Sequence, residues 1–306
     1  MRALVLGDDG LRLDAAYPEP KPRGDEAVVR VLRAGICGTD LELLRGYKGF
    51  RGVPGHEFVG VVEKCASKPD LVGERVVAEI NVGCRRCDRC RRHDERHCAK
   101  RTVLGILGRD GAFAEFVAVP VRHLSRVPHV PPEEAVFVEP FAAAIRLLDQ
   151  VQVTDRTHAV VLGPGRLGRL VELVLRGRTD HVTLAGRTDQ TPRDADLVVD
   201  CTGSPEGFAR AVSLARPGGT VVLKSTCAGD APVAPALLTE LVVREITVVG
   251  SRCGTRRDFD SARMSLIGRT IEISHLVEAT YRLDDFARAF EHAARPGALK
   301  VLLDPS

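Results

Sequence analysis

Four cysteines lie close together in the segment Cys84-Arg-Arg-Cys87-Asp-Arg-Cys90, with the fourth at Cys98. This spacing, C-x2-C-x2-C-x7-C, allows four thiolates to converge on one tetrahedral zinc ion. Because protein atoms then fill all four positions around the metal, such an ion has no place for a substrate. The segment therefore predicts a small lobe that a structural zinc ion holds together through Cys84, Cys87, Cys90 and Cys98.

The overall composition predicts a globular chain of roughly two domains. There are 306 residues, and a domain usually takes about 150. Hydrophobic residues make up 44% of the chain, charged residues 28%, and the net charge is only +3. A balance of this kind does not require a nucleic acid or an anionic membrane as partner. A zinc ribbon that binds nucleic acid through the arginines of the cysteine segment is the rival interpretation, but aromatic residues are only 4% of the chain and offer no base-stacking platform.

The start of the chain does not resemble a secretory signal, because Asp8 and Asp9 interrupt its first apolar residues. No apolar run approaches the roughly 18 residues of a membrane helix. We therefore expect a cytoplasmic protein with no membrane partner and with reduced thiols. The cysteines outside the metal motifs are predicted to be small buried residues, namely Cys65, Cys201, Cys227 and Cys253.

The two halves of the chain have different patterns. Short β-branched runs separated by Gly and Pro fill the first half and predict an irregular β-rich domain, into which the cysteine segment is inserted. From His158 onward, apolar strands alternate with helical stretches, which is typical of a doubly wound parallel α/β sheet. Short strands return after Ile271. The predicted domains are 1–149 together with 269–306, and 150–268.

A glycine motif follows the apolar run 159–162 and precedes a predicted helix. In Gly163-Pro-Gly165-Arg166-Leu167-Gly168, the first glycine permits a tight turn and the second permits close approach of a pyrophosphate. The third allows the helix to pack on the strand, while free N–H groups at the start of the helix face the phosphates. This strand–loop–helix context predicts a dinucleotide site at residues 163, 165, 166, 167 and 168.

The choice of dinucleotide is normally made about 20 residues later, at the end of the second strand. The sequence there is Ala185-Gly186-Arg187, without the acid that would accept hydrogen bonds from a ribose 2′-OH. Arg187 can pair with a 2′-phosphate, so NADP is favoured over NAD. The alternative is that Arg187 stacks on adenine or is solvated, and that NAD binds.

Residues that can bind a second metal ion come from three separate segments. They are Gly35-Ile-Cys37-Gly-Thr39-Asp40, Gly55-His56-Glu57 and Val138-Glu139-Pro140. Each segment alone is a weak signal, because a single cysteine or histidine is usually structural. Together they offer a thiolate, an imidazole and a carboxylate, which matches a catalytic zinc ion with three protein ligands and one open position.

These motifs, taken in order along the chain, resemble those of the zinc-dependent medium-chain dehydrogenases/reductases of the alcohol, polyol and sugar dehydrogenase type. The resemblance covers nearly the whole chain. It implies an α/β protein with an irregular β-rich, GroES-like catalytic domain and a Rossmann coenzyme domain. Residues 188–195 stand where the family has a helix, a strand and a second helix, so the parallel sheet is expected to be shortened at one edge. It also implies an active site in the cleft between the two domains, with two zinc ions per subunit. The matching segments are those at Cys37, His56, the four cysteines and Gly163, together with Asp200-Cys-Thr-Gly203.

The same resemblance assigns roles at the catalytic site. Cys37 and His56 are implied zinc ligands, and Glu139 occupies the third-ligand position used by polyol and sugar dehydrogenases. Glu57 is either a ligand or an exchange partner, and the choice between Glu57 and Glu139 stays open. Zinc lowers the pKa of a bound O–H from about 16 to about 7, so that hydride can pass to the nicotinamide. Thr39 is positioned to pass the proton outward, or else only caps a helix.

The remaining coenzyme contacts are expected from the family position of each residue. Thr202 and Gly203 follow the third strand, Ser251 and Arg252 approach the nicotinamide, and Lys300 reaches a phosphate. The expected partner is a small alcohol or carbonyl compound, in a homodimer or homotetramer. Two alternatives remain: a zinc-free quinone or enone reductase of the same superfamily, and a non-enzymatic, zinc-stabilised binding or regulatory protein.

Overall fold

The computed structural model describes residues 1–226 and 233–305, so the burial predicted for Cys227 lies outside the described residues. The chain divides into two compact units. The first contains residues 1–139 and the chain from 255 onward, and the second contains Pro140–Gly254. No helix among the described residues is both long and apolar enough to cross a membrane.

Sixteen strands are formed within the described residues. In chain order they are β1 Ala3–Gly7, β2 Gly10–Asp14, β3 Glu26–Gly35, β4 Glu57–Lys64, β5 Arg75–Ala78, β6 Asn81–Val82, β7 Thr102–Val103, β8 Phe116–Pro120, β9 Leu124–Arg126, β10 Ala159–Leu162, β11 Val182–Ala185, β12 Ala195–Asp200, β13 Ala215–Leu223, β14 Thr247–Gly250, β15 Val277–Arg282 and β16 Lys300–Asp304.

The α-helices of the described residues are mostly short, and the longer ones belong to the second half of the chain. They are α1 Gly38–Leu44, α2 Asp88–Arg91, α3 Pro132–Ala135, α4 Val138–Ile145, α5 Arg166–Arg176, α6 Pro205–Leu214, α7 Pro235–Val243, α8 Arg256–Ile267 and α9 Phe286–Ala293.

The first unit is built around a sheet of order β15-β16-β3-β4-β5-β9, with β8 also paired to β3. β3 is its longest strand, and its valines Val28, Val29 and Val31 are buried. Strand β4 runs antiparallel to β3, in a register that sets Gly35 opposite Glu57. The last residue of β3 and the first residue of β4 therefore lie at the same end of this strand pair. This places the Cys37 and His56 segments side by side.

The second unit contains a five-stranded parallel sheet of order β11-β10-β12-β13-β14. All four residues of β10 are buried, as expected of a central parallel strand. Among the described residues β11 pairs only with β10, so it forms one edge of the sheet. The predicted doubly wound sheet, shortened at one edge, is thereby confirmed.

Helix α8 marks a difference from the predicted domain boundaries of 149/150 and 268/269. Its first residue, Arg256, donates to Glu79 at 2.8 Å and to the hydroxyl of Ser125 at 3.0 Å. Both partners belong to the β-rich unit, so these contacts hold α8 there. The predicted boundary at 268/269 instead places this helix in the coenzyme domain.

Candidate metal and cofactor sites

The β-rich unit gathers one sulfur, one nitrogen and one oxygen ligand at the junction of β3 and β4. Ligand atoms of Cys37, His56 and Glu57 all lie within 4.8 Å of one another. His56 is 3% exposed and Glu57 is 1% exposed, while Cys37 is only partly buried. A soft thiolate, an imidazole and a carboxylate together suit Zn²⁺, and three protein ligands leave a fourth position open.

Asp40 supports two members of this cluster, and the sequence analysis did not assign it a role. One carboxylate oxygen accepts a hydrogen bond from the backbone N–H of Cys37 at 2.8 Å. The other lies 3.4 Å from Nδ1 of His56. A carboxylate behind a metal-bound histidine fixes the orientation of its ring. The signal was present, because an acid three residues after a helix N-cap is the spacing of a capping box.

Asp40 also dominates the electrostatics around His56. Burial alone would lower the pKa of this imidazole, but the Asp40 carboxylate and the Cys37 thiol outweigh burial and raise the pKa well above the usual 6.5. In the absence of metal, the ring is therefore held with a proton that a zinc ion must displace. The negative charge around His56 therefore favours a positive charge at this site, either a proton on the imidazole or a metal ion.

A buried ion pair adjoins the cluster. The carboxylate of Glu57 pairs with the ammonium of Lys300, and both side chains are 2% exposed. The ammonium also lies 5.8 Å from the centre of the Phe137 ring. Gly35 leaves the space for this pair, since a Cβ there would lie 2.8 Å from the Glu57 oxygen and 3.1 Å from Cδ of Lys300. The expected phosphate contact of Lys300 is not supported, because the ammonium is buried and already paired.

Two other predicted residues take different positions around the cluster. The hydroxyl of Thr39 lies 3.8 Å from Sγ of Cys37, so it borders the ligands as expected. Glu139 lies in the first turn of α4, and its carboxylate is not part of the three-residue group found among the described residues. Of the two carboxylates left open by the sequence, Glu57 belongs to the group of close ligand atoms with Cys37 and His56, and the choice of the ligand stays a prediction.

The four cysteines of the lobe come together around α2. Their ligand atoms lie within 4.8 Å of one another, and Sγ of Cys87 is 3.5 Å from Sγ of Cys90 and 3.7 Å from that of Cys98. Backbone N–H groups of Arg86 and Cys87 lower the pKa of Cys84 from 9.0 to about 6. Burial, by contrast, raises the pKa of Cys90 to about 12. One ready thiolate and three further sulfurs fit a structural zinc site, in which the metal takes the place of the remaining protons.

Glu95 anchors this lobe to the rest of the β-rich unit. Its carboxylate accepts from the backbone N–H of Gly83 at 2.6 Å and from Arg122 at 3.2 Å, and it lies 3.4 Å from Nε2 of His123. Because Gly83 immediately precedes Cys84, the carboxylate fixes the point where the chain enters the cysteine cluster. His123, then Arg122 and the N–H of Gly83, lower the pKa of Glu95 from 4.5 to about 2.

The glycine motif forms the predicted loop between β10 and α5. Gly163 has φ +96°, which favours glycine, and a Cβ on Gly168 would lie 1.9 Å from the carbonyl oxygen of Gly163. Gly165 is the N-cap of α5, and nothing lies within 4 Å of a Cβ built there. The start of the eleven-residue helix therefore has open space in front of its free N–H groups, which fits a pyrophosphate. Arg166 and Leu167 form the first turn of α5.

The end of β11 adjoins this loop. The carbonyl of Ala185 accepts from the N–H of Gly163 at 2.9 Å. Arg187 follows two residues later and is exposed. Arg187, the residue predicted to recognise the ribose, thus follows the carboxyl end of the strand that is hydrogen-bonded to the glycine loop.

The remaining predicted coenzyme residues lie at the carboxyl ends of β12 and β14. Thr202 donates to the buried carboxylate of Asp200 at 2.7 Å, and Gly203 follows with φ +67°. Ser251 is bound by a residue that the sequence analysis did not single out. The buried ammonium of Lys224 donates to the Ser251 hydroxyl at 3.0 Å and to the carbonyl of Arg252 at 3.3 Å. A single lysine at a strand end gave no pattern that would have predicted this contact.

Comparisons with known proteins agree with this geometry. Residues 23–129 match the alcohol dehydrogenase GroES-like domain, and residues 174–267 match the zinc-binding dehydrogenase domain. A Mycobacterium tuberculosis protein named "Probable alcohol dehydrogenase adh" is 32% identical, with 82% of this chain and 83% of that protein covered. A D-altritol 5-dehydrogenase of Agrobacterium fabrum is 29% identical, with 82% and 84% covered.

Solved structures give the same result. An Escherichia coli CFT073 alcohol dehydrogenase complexed with NADH has a TM-score of 0.89 and 26% identity, with 99% of each chain covered. A zinc-binding dehydrogenase of Sinorhizobium meliloti 1021 bound to NADP has a TM-score of 0.86 and 27% identity, again with 99% of each chain covered. The fold and the two sulfur-containing clusters define a zinc-type oxidoreductase. The chain belongs to the zinc-dependent medium-chain dehydrogenase/reductase family.

Proposed function

We propose that this protein transfers hydride between a secondary alcohol of a polyol or sugar and NADP, with one catalytic and one structural zinc ion per chain. Its class is that of the NAD(P)-dependent, zinc-containing alcohol and polyol dehydrogenases. The observation that carries the proposal is the approach of Cys37, His56 and Glu57, whose ligand atoms lie within 4.8 Å of one another beside a buried cation.

The residues around the proposed metal have separate roles. Cys37, His56 and Glu57 would hold zinc, which when bound polarises the substrate oxygen and favours loss of its proton. Asp40 keeps the His56 ring in place and accepts from the Cys37 backbone. Lys300 neutralises Glu57 when that carboxylate is not a ligand. The Glu57 carboxylate would therefore be compensated in both positions, by the ammonium when it is off the metal and by the metal ion when it is a ligand.

Thr39 is the proposed proton carrier. Its hydroxyl lies 3.8 Å from the Cys37 sulfur and is partly exposed, so it borders both the ligands and solvent. A hydroxyl can accept a proton from the substrate while donating its own to water. The proton thereby leaves a site in which the His56 and Glu57 side chains are buried.

The coenzyme is proposed to bind along the carboxyl ends of the parallel strands. Its pyrophosphate would approach Gly165 and the start of α5, and its nicotinamide, which accepts or returns the hydride, would lie near Ser251 and Arg252. Arg187 is exposed at the strand end where the ribose is read. This position supports a preference for NADP, because a guanidinium can pair with a 2′-phosphate in two parallel hydrogen bonds.

A polyol or sugar is the favoured substrate class. The related D-altritol 5-dehydrogenase is named for a polyol substrate, and Glu139 is the residue type that the family resemblance gives to the third-ligand position of polyol and sugar dehydrogenases. A carboxylate also accepts hydrogen bonds, so it can interact with hydroxyl groups next to the reacting carbon. The direction of the reaction depends on the supply of the two cofactor forms.

We further propose a cytoplasmic homodimer. Cysteines of the described residues such as Cys37, Cys65 and Cys201 form no disulfide, which suits a reducing compartment. Strand β14 is an edge strand of the described sheet, its Val248 is exposed, and so are Val242 and Val243 at the end of the preceding helix α7. A second copy that adds its own β14 antiparallel to this edge would cover the valines about a twofold axis. Sedimentation should give a dimer for the wild type and a monomer for Val242→Lys.

Two measurements on the purified, zinc-loaded chain test the proposed function. Metal analysis should give two zinc ions per chain, and an activity screen with alcohols, polyols and aldoses should show substrate-dependent formation of NADPH. A reductase that needs no zinc would keep its activity after the metal is removed. A binding protein would take up NADPH without turning over any substrate in the screen.

A further inference from the structure

The segment 186–194 joins β11 to β12 and is the part of the coenzyme unit that departs most from a doubly wound sheet. The two strands are parallel and lie on either side of β10. Such a crossover usually takes a dozen or more residues, most of them in a helix. This segment is described throughout, and it contains neither helix nor strand. Its backbone therefore lacks the hydrogen bonds that secondary structure would supply.

Arg210 on α6 donates hydrogen bonds to the backbone of this segment instead. Its Nη1 donates to the carbonyls of Gly186 and, at 3.0 Å, of Arg187. Its Nη2 donates to the carbonyl of Asp189 at 2.7 Å and to the hydroxyl of Thr191 at 2.5 Å. From the other side, the Asp189 carboxylate accepts from the N–H of Gly186 at 2.8 Å. One guanidinium thus organises the segment that replaces a strand and two helices.

The segment held in this way includes the proposed reader of the 2′-phosphate. Ala185, at its start, is hydrogen-bonded to Gly163 of the glycine loop. Arg187 is exposed, and within the described residues its side chain has no hydrogen bond or ion pair. Its guanidinium is therefore available, while its backbone is fixed by Arg210. Arg210 has four of its five N–H donors engaged and has little left to offer a phosphate itself.

We propose that Arg210 is a positioning residue for the choice of cofactor. By holding the carbonyls of Gly186 and Arg187, it sets where the Arg187 side chain leaves the backbone, and so makes NADP recognition depend on α6. This inference rests on the proposed preference for NADP. The hydrogen bonds from Arg210 restrict the backbone of the segment, so binding has less entropy of ordering to overcome.

Fluorescence titration with NADPH and with NADH tests this on the zinc-loaded full chain. Arg187→Ala should lower the ratio of NADPH to NADH affinity about 10-fold, as expected for loss of a charged hydrogen bond. Arg210→Ala should lower the ratio by a similar factor, with the NADH affinity within about 2-fold of the wild type. The double variant should fall no further than Arg187→Ala, because Arg210 acts through Arg187. Arg210→Lys, which keeps the charge but not the fork, should give an intermediate ratio.

The matched control is Arg216→Ala. Arg216 donates to the partly exposed Asp196 at 2.7 Å, near the amino ends of β12 and β13, and its replacement should leave both affinities unchanged. The inference is wrong if Arg210→Ala and Arg210→Lys keep the wild-type ratio while Arg187→Ala lowers it. It is also wrong if the two Arg210 variants weaken the binding of both cofactors equally. In either case the NADP proposal stands. If Arg187→Ala itself leaves the ratio unchanged, the proposed 2′-phosphate contact fails, and the role of Arg210 fails with it.

Discussion

The two sulfur-containing clusters of the β-rich unit are built in opposite ways. The lobe takes all four sulfurs from residues 84–98, whereas the second cluster joins Cys37 to His56 and Glu57 through the pairing of β3 with β4. The lobe offers only thiols and leaves no position open. The second cluster offers three different ligand types and leaves room for a substrate oxygen. A local, uniform ligand set fits a structural role, and a mixed set assembled by the fold fits chemistry.

The charges around the clusters differ in the same sense. Glu95 fixes the entry to the lobe from a partly exposed position. Asp40 and Lys300 flank the second cluster from positions that are 1% and 2% exposed. Burial makes each of these charges expensive unless it is paired. The ligands of the second cluster therefore lie next to charges that are more deeply buried than the charge next to the lobe.

The largest difference between the clusters should appear in catalysis. Cys37→Ala should reduce kcat/KM about 10³-fold, since metal-supplied charge stabilisation of several kcal/mol is lost. The metal content should fall from two zinc ions per chain to one, while the thermal unfolding midpoint stays close to that of the wild type. Steady-state kinetics and metal analysis measure both. Cys65→Ala, at a buried cysteine outside both clusters, is the control and should keep full activity and both metal ions.

Replacement of Lys300 should show how much an unpaired, buried Glu57 carboxylate lowers the free energy of unfolding. Lys300→Met leaves Glu57 without its partner and should lower the free energy of unfolding of the metal-free protein by about 3 kcal/mol. The double variant Lys300→Met/Glu57→Gln removes both charges and should recover at least half of that loss. Denaturant unfolding of the three proteins gives the values. A single variant as stable as the wild type would show that the pair is not important for the fold.

Asp40→Asn should have a smaller effect, confined to the second cluster. It keeps the shape of the side chain but removes the charge behind His56, so affinity for the catalytic zinc should fall about 10- to 100-fold. Competition with a chelator measures this affinity. The zinc ion of the lobe should be retained at the same chelator concentration, and loss of both ions together would contradict the separate roles of the clusters.

The smallest effect should come from the anchor of the lobe. Since the pKa of Glu95 is lowered to about 2, its ionised carboxylate stabilises the fold above pH 4.5, and this contribution is lost as the pH falls toward 2. Glu95→Gln should cost about 2 kcal/mol at pH 7, and the difference from wild type should shrink in acid. Comparison of the two proteins at each pH cancels the zinc loss they share. Glu63→Gln, in an exposed pair with Arg30, should change stability by less than about 0.5 kcal/mol.

The contrast between the clusters also explains what could be predicted from the sequence. The spacing of the four cysteines and of the three glycines is local, so one segment carries all the information needed. The shortened edge of the parallel sheet was likewise visible, because residues 188–195 are too few for another strand and two helices. These features follow from chain length and residue type alone.

The side-chain contacts of the second cluster could not be predicted in the same way. Nothing near Lys300 in sequence indicates that its ammonium pairs with Glu57, far away along the chain. Burial and the β16–β3 pairing produce that contact, and they override the expected phosphate role. Glu139 shows the converse, since a suitable ligand type in the expected order does not join the cluster in the described residues. The roles of Lys224 and Arg210 depend in the same way on which loops the fold brings to them.

The position of the metal ions tests the account most directly. Diffraction data collected on both sides of the zinc absorption edge, from crystals of the zinc-loaded protein, should give two anomalous peaks. One is expected among Cys84, Cys87, Cys90 and Cys98, and the other beside the Cys37 sulfur and the His56 ring. A peak at the four cysteines alone, from protein that still oxidises its alcohol, would contradict the proposed catalytic site.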